Sequence, residues 1–230
     1  MNTYKDWTAE DRKKVIFSDE CVLCVGVDPH RQWVIRPKGQ ALEKRYLMPG
    51  LKSGHVSIMV WACFSGKRIG PILVLEQRGI GADEYERIVC DRVLPMADNL
   101  PTPPELSSDT ICIANKSDLL FMHDNGPYRK TPNAIKLLEE NNTPVMKWLP
   151  QSPDLNPIEN LGRDLKHHFY LKFHELQSSP SASKEAFEAY STIIHKCWYA
   201  QNQTVMEWLI ESMPHCCKAV IEAKGGHTKY

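Results

Sequence analysis

The sequence lacks any run of about 18 consecutive apolar residues, the length that a membrane-spanning helix requires. Its first 14 residues, MNTYKDWTAEDRKK, lack the apolar segment of a secretory signal peptide, because they are polar and charged throughout. No internal repeat is found. These absences predict a protein without a membrane partner, in an intracellular, reducing compartment.

An excess of charge of either sign is also absent. The chain has 28 Lys and Arg residues against 28 Asp and Glu residues, so its formal net charge is zero. Proteins that grip duplex DNA along many phosphates normally carry a basic excess. The balance therefore argues against tight stand-alone duplex binding, while leaving room for a local basic surface.

The chain contains eight cysteines, yet no second CxxC accompanies the pair Cys21 and Cys24. In a reducing compartment, cysteines are expected as thiols rather than as a disulfide framework. A structural zinc ion needs four ligands, and this pair lies inside an apolar strand pattern. We therefore interpret the cysteines as core thiols, with a zinc site as the alternative.

The 230 residues are enough for one full domain with additions. Strands come first and then alternate with helices, which predicts an α/β fold around a mixed sheet, antiparallel in its early part. Predicted strands lie at 15–19, 21–27, 32–36, 55–64, 72–75, 119–122 and 145–149. Predicted helices begin near Asp83, Thr131, Asn156, Thr204 and Pro214. The predicted divisions are a lead-in at 1–14, the main domain at 15–172, a linker at 173–182 and C-terminal helices at 183–230.

Three acidic residues stand in unusual settings. Asp19 ends a short apolar run, Asp124 follows another and precedes a turn, and Glu159 lies in the first turn of the helix that Asn156 would cap. Each also has a structural interpretation. Asp19 could be a turn residue, with Glu20 as the functional acid, and Asp124 could serve the turn. Glu159 could complete a capping box with Asn156.

Four segments carry a family resemblance: IFSDE, HVSIMVWACFSGKRIGPILVLE, HDNGP and WLPQSPDLNPIENL. They resemble the catalytic domain of the mariner superfamily of cut-and-paste DNA transposases, DDE superfamily endonucleases that include pogo-like elements. The match covers most of residues 7–170, and the closing SMPHCCKAVIEAKGGHTKY is similar as well. The resemblance implies a ribonuclease H-like fold for 15–172, and Asp124 and Glu159 have the spacing expected when the third acid is Glu.

The resemblance also implies a chemistry. Asp19, Asp124 and Glu159 would hold Mg²⁺ or Mn²⁺, as two ions, and catalyse DNA cleavage and strand transfer. The implied partners are transposon-end and target DNA and a second copy of the chain, in the nucleus. Candidate DNA contacts are the basic residues near the acids: Arg129, Lys130, Arg163, Lys166 and His167.

The chain departs from the family pattern in three places. Arg129 stands where the family usually has His, and Gly162 stands where it usually has Trp. The segment before Asp19 is too short for the family's N-terminal helix-turn-helix modules, so an isolated catalytic domain is expected. Two alternatives remain open: a catalytically silent transposase-derived remnant that binds DNA or dimerises, and a nuclease acting on RNA or hybrids.

Overall fold

The structure is a computed structural model that describes residues 4–25, 56–66, 68–76, 79–97, 120–124, 126–148, 152–172, 183–226 and 228. The strand predicted at 32–36 and the linker predicted at 173–182 lie outside these residues. So does Cys112.

A mixed four-stranded sheet forms the centre of the molecule. Its strands are β1 (Val15–Val25), β2 (Val56–Ser65), β3 (Arg68–Leu75) and β4 (Leu120–Met122). The order across the sheet is β3-β2-β1-β4. β2 pairs with β3 antiparallel, as expected from their short connection, and β1 pairs with β2 antiparallel although residues 26–55 separate them. β1 pairs with β4 in parallel.

One continuous strand replaces the two predicted at 15–19 and 21–27. β1 runs through both acids, with Asp19 opposite Ala62 and Glu20 opposite Trp61. The prediction that Asp19 ends a strand is therefore wrong. Consecutive carboxylates are tolerated in a central strand here because each side chain has a specific polar partner, Asn156 for Asp19 and Arg129 for Glu20.

Helices cover both faces of this sheet. They are α1 (Ala9–Arg12), α2 (Ala82–Ile88), a π-helical segment (Val89–Val93), α3 (Leu94–Ala97), α4 (Pro132–Glu140), α5 (Ile158–Lys172), α6 (Lys184–Tyr199) and α7 (Gln203–Glu222). Short 3₁₀ turns lie at Pro127–Lys130 and Pro153–Leu155. None of the described helices is long and apolar enough to cross a bilayer.

Two apolar cores lie on opposite faces of the sheet, because successive side chains of a strand point to opposite sides. On β1, Val15 and Phe17 enter the core formed with α5, α6 and α7. Ile16 enters the core formed with α2, α3 and α4. The same alternation directs Asp19 toward α5 and Glu20 toward α2.

The C-terminal helices pack on the sheet itself. Trp198 of α6 is fully buried, and its Nε1 donates to the Gly70 carbonyl of β3 at 2.8 Å. Gly70 needs to be glycine, because a Cβ there would lie 2.4 Å from the Cys63 carbonyl oxygen. Gln201, just after α6, donates through Nε2 to the Leu161 carbonyl of α5 at 3.2 Å. These contacts tie α5, α6 and the sheet into one body.

Several helix starts differ from their predictions. Thr131 caps α4 as predicted, its side chain accepting from the Ala134 N–H. However, α2 begins after Gly81, without a side-chain cap at Asp83, and Asn202 rather than Thr204 caps α7.

Two predicted elements near the C-terminal half also differ. Pro214 lies inside α7 instead of opening a helix, because buried Ile210, Met213 and Cys217 hold the chain helical around it. Val145 forms only an isolated bridge with Phe121, so the described part of the predicted strand at 145–149 forms no strand.

Trp198→Ala should lower the free energy of unfolding by about 3–5 kcal/mol, because it opens a cavity between α6 and β3 and removes a hydrogen bond. Urea denaturation would measure the change. Trp208→Ala is the matched control, because Trp208 lies on α7 and is 64% exposed. A similar loss in both variants would contradict the docking of α6 on the sheet.

Candidate active site

Asp19 lies on β1, and Asp124 lies just beyond the end of the neighbouring strand β4. The parallel ladder pairs Phe17 of β1 with Met122 of β4, and each acid follows its paired residue by two positions. The Ser18 hydroxyl donates to the Met122 carbonyl at 2.9 Å. This hydrogen bond joins β1 to β4 just before the two acids. Asp124 follows the end of a strand, as predicted.

Asn156 links Asp19 to the start of α5. Its Nδ2 donates to Asp19 Oδ2 at 3.0 Å, while Asp19 Oδ1 accepts the Glu20 backbone N–H at 2.8 Å. The Asn156 side chain therefore reaches β1, and the prediction that it caps the helix is wrong. Its Oδ1 is buried and has no hydrogen-bond partner among the described residues.

Glu159 lies in the first turn of α5, as predicted, and lines the same small cavity as Asp19. Ile158, Gly162 and Trp198 form part of the cavity's apolar wall. Burial, together with the nearby Glu159 and Glu20 carboxylates, raises the pKa of Asp19 to about 7. Negative charge is thus concentrated where β1 meets α5.

Glu20 faces the other side of the sheet. Both of its carboxylate oxygens accept from Arg129 Nη2, and its side chain is only 14% exposed. Burial raises the pKa of Glu20, and the Arg129 charge opposes that rise. This pairing favours Asp19 over Glu20 as the acid that acts together with Glu159.

Arg129 also contacts Asp124. Its Nη1 lies 2.8 Å from Asp124 Oδ1, an ion pair without hydrogen-bond geometry. The guanidinium is fully buried and lies over the rings of Tyr128 and Tyr85, with Cζ 5.2 and 5.8 Å from their centroids. Arg129 was expected to contact DNA; its burial leaves no surface for that contact.

His123, between β4 and Asp124, is a buried neutral residue. Burial lowers its pKa to about 4, and Nδ1 donates to the Asp124 carbonyl at 2.7 Å. Its ring packs against Tyr85 and Phe121. It therefore supports the backbone that carries Asp124, a role that the sequence did not indicate.

Two of the other basic candidates border a groove beside Glu159. Arg163 is exposed and Lys166 is half-buried, and both line the groove with Gly162 and Trp208. A Cβ at residue 162 would have only Cys21 within 4 Å, its Cβ at 3.9 Å, so Gly162 leaves room for a side chain here. Trp208 was not predicted from the sequence, because the spacing of apolar residues along a helix identifies its buried face and does not single out an exposed aromatic residue.

The remaining basic candidates are Lys130 and His167. Both are exposed. Lys130 closes the 3₁₀ turn at Pro127–Lys130, and His167 lies on α5.

The three acids supply the oxygen ligands that a hard divalent cation prefers. Asp19, Asp124 and Glu159 offer carboxylate oxygens, and Asn156 offers an unpartnered amide oxygen beside them. Within the described part of the chain, no three His, Cys, Asp or Glu side chains lie within reach of one ion. The structure places Asp19 close to Glu159. Asp124 lies beyond the end of β4, where it forms an ion pair with Arg129.

No protein-family model matches the sequence. Curated relatives do match it along almost its whole length. The chain is 30% identical over 228 residues to the transposase of the transposable element Tcb1 of Caenorhabditis briggsae, covering 97% of this chain and 73% of the relative. It is 29% identical over 225 residues to the Tc1 transposase of Caenorhabditis elegans, with the same coverage.

Solved structures with the same fold belong to the Mos1 mariner transposase. The Mos1 catalytic domain gives a TM-score of 0.59 at 15% identity, covering 99% of this chain and 89% of that one. The Mos1 paired end complex with Mn gives 0.62 at 17% identity. This chain covers 60% of the chain in that complex. The likeness confirms the expected ribonuclease H-like fold with helices after the sheet.

Asp19→Asn should remove a pH-dependent loss of stability. A raised pKa of about 7 means that the folded protein binds this proton more tightly than the unfolded chain does. The resulting stabilisation is full below about pH 4 and is lost as pH rises through about 7, by a few kcal/mol at most. In metal-free buffer, urea midpoints from pH 5 to 8 should therefore fall less in the variant than in the wild type.

The control is Asp154→Asn, which changes an exposed acid on the turn before α5. It should follow the wild type at every pH. If the urea midpoints of the wild type and of Asp19→Asn fall equally as pH rises, the raised pKa of Asp19 is contradicted.

Proposed function

Because this chain belongs to the Tc1/mariner transposases and corresponds to their catalytic domain, we propose that it is a divalent-metal-dependent DNA endonuclease and strand-transferase. Asp19, Asp124 and Glu159 are its proposed catalytic acids. The observation that carries the assignment is the placement of Asp19 beside Glu159 in one cavity, with Asp124 just beyond the end of the neighbouring strand β4.

Mg²⁺ or Mn²⁺ is the proposed cofactor, as two ions. Support comes from the all-oxygen donor set and from the Mos1 mariner complexes, which were solved with Mn and with Mg. Asp19, Asp124 and Glu159 would hold the ions. When bound, divalent ions at such a site supply activation of the attacking water and charge stabilisation at the leaving 3′ oxygen of a phosphodiester.

The chain's own residues would prepare this site before metal arrives. Asn156 fixes the Asp19 carboxylate against α5, and the Gly126 N–H donates to Asp124 Oδ1 at 2.8 Å, which leaves Asp124 Oδ2 available. Glu159 lies in the first turn of α5 and is exposed, so its carboxylate is accessible to an ion. Since the nucleophiles are water and then a DNA 3′ hydroxyl, no covalent intermediate with the protein is required.

DNA is the proposed partner, and its proposed path is the groove lined by Arg163, Lys166 and Trp208. Two cations beside an exposed tryptophan suit a DNA strand, because phosphates pair with the cations while a base stacks on the ring. The groove also includes Glu159, so bound DNA would lie next to the acids. The paired-end complexes of Mos1 support a homodimer, and DNA as the substrate suits a nuclear location.

Nicking of supercoiled plasmid DNA in Mn²⁺ or Mg²⁺ tests the activity. Asp19→Asn, Asp124→Asn and Glu159→Gln should each reduce nicking by roughly 100-fold or more, since even partners of metal ligands are worth about 10- to 100-fold. Asp91→Asn is the control and should retain activity, because Asp91 is exposed and lines neither the groove nor the cavity beside Asp19. Metal binding measured by calorimetry on the same proteins separates loss of the ions from loss of chemistry.

The outcomes distinguish the candidate functions. Wild-type protein that binds DNA but neither binds Mn²⁺ nor nicks plasmid would be a silent remnant, and the catalytic proposal would fail. Cleavage of an RNA–DNA hybrid without cleavage of duplex DNA would support a ribonuclease instead.

Substitutions in the groove should weaken DNA binding in two distinguishable ways. Lys166→Gln should lower affinity and reduce the steepness of the salt dependence by about 0.7–0.9 in the log–log slope, as expected for one lost phosphate contact. Trp208→Ala should lower affinity by about 1–3 kcal/mol while leaving that slope unchanged, because stacking involves no counterion release.

Fluorescence anisotropy with a labelled duplex carrying a single-stranded 3′ overhang, titrated at several NaCl concentrations, would measure both effects. Lys218→Gln on α7 is the control, because Lys218 is an exposed cation outside the groove. An equal effect of Lys218→Gln would mean that binding is diffuse and does not use the groove.

A further inference from the structure

The adjacent acids of β1 have separate partners on opposite faces of the sheet. Asp19 is bound by Asn156 at the start of α5. Glu20 is bound by Arg129, whose side chain is fully buried. Arg129 extends from Glu20 to Asp124, so one cation joins the middle of β1 to the end of β4.

Arg129 is held too firmly to be an incidental counter-ion. Its Nη2 donates to both oxygens of Glu20 and to the Tyr128 hydroxyl, the last at 3.0 Å. Its Cζ lies 5.2 Å from the centroid of the Tyr128 ring and 5.8 Å from that of the Tyr85 ring. A side chain fixed on so many sides is pre-organised, and whatever it contacts is fixed with it.

Asp124 is restrained through one of its two oxygens. Oδ1 receives the Gly126 N–H at 2.8 Å and lies 2.8 Å from Arg129 Nη1. A Cβ on residue 126 would stand 3.1 Å from that oxygen, so glycine permits this close approach. Oδ2 has neither contact, and the side chain is 55% exposed. The carboxylate is thus oriented with one oxygen directed away from the protein's own donors.

We infer that Glu20 and Arg129 are positioning residues that orient the Asp124 carboxylate for a divalent cation. This inference rests on the proposed function, since it assumes that Asp124 binds metal. Glu20 carries one negative charge and Arg129 one positive charge, so the pair adds no net charge next to the site. Its effect on a metal ion is therefore mainly geometric, and removing both residues together isolates that effect.

A comparison of four proteins tests whether the pair positions Asp124 or only supports the fold. They are the wild type, Glu20→Gln, Arg129→Met and the double variant. Arg129→Met leaves the buried Glu20 carboxylate without this cation, and Glu20→Gln leaves Arg129 with Asp124 but without its buried partner, so each should lower the urea midpoint. The double variant removes both charges and should recover most of that loss. Its affinity for Mn²⁺, measured by calorimetry, should nevertheless stay about tenfold weaker than that of the wild type.

A double variant that recovers stability and binds Mn²⁺ with wild-type affinity would overturn the inference, because the pair would then serve only the fold. Asp124→Asn identifies the other failure. If the wild type binds Mn²⁺ and Asp124→Asn binds it equally well, Asp124 is no ligand, and the metal assignment of the proposed function fails together with the positioning role. If the wild type binds no Mn²⁺, both are overturned.

Discussion

The parallel pairing of β1 with β4 is the interaction on which the candidate site depends. It is short, with three residues on each strand, yet it sets Asp19 and Asp124 at the same level of the sheet. Parallel strands need a long connection between them, so this contact joins parts of the chain that are far apart in sequence. The Ser18 hydroxyl and the Arg129 side chain reinforce it beyond the ladder. Without this register, the two carboxylates would not share one end of the sheet.

Alternation along β1 then divides the chemistry between two faces. Asp19 is directed toward α5, where Asn156 and Glu159 lie, and Glu20 is directed toward the layer that contains Arg129. A shift of one residue would exchange the two acids and move the apolar residues of β1 to the wrong cores. The burial of Phe17 in one core and Ile16 in the other therefore fixes which acid meets Glu159. The same register therefore specifies both the packing of β1 and the placement of the candidate catalytic acids.

The family, the fold and most elements could be predicted from the sequence, and the comparisons confirm the resemblance to mariner-superfamily transposases. Motif spacing and strand periodicity are local signals, and they carried these predictions. The partner of a polar side chain is a non-local property. Asn156 stands where a helix cap is expected, yet its side-chain amide donates to Asp19. Arginine is usually found at the surface, yet Arg129 is buried. Such partners depend on segments brought together only by folding, so the sequence alone could not identify them.

The charged groups at the candidate site contribute little to the stability of the fold, which is consistent with a functional role. A carboxylate whose pKa is raised to about 7 destabilises the folded protein at neutral pH, and a buried ion pair such as Glu20 with Arg129 adds little net stability. Apolar residues in place of both Glu20 and Arg129 would cost the fold less. Proteins tolerate such strain where function requires it. A divalent cation at Asp19 and Glu159 would offset the repulsion between them, so the charge arrangement that destabilises the metal-free protein would strengthen ion binding.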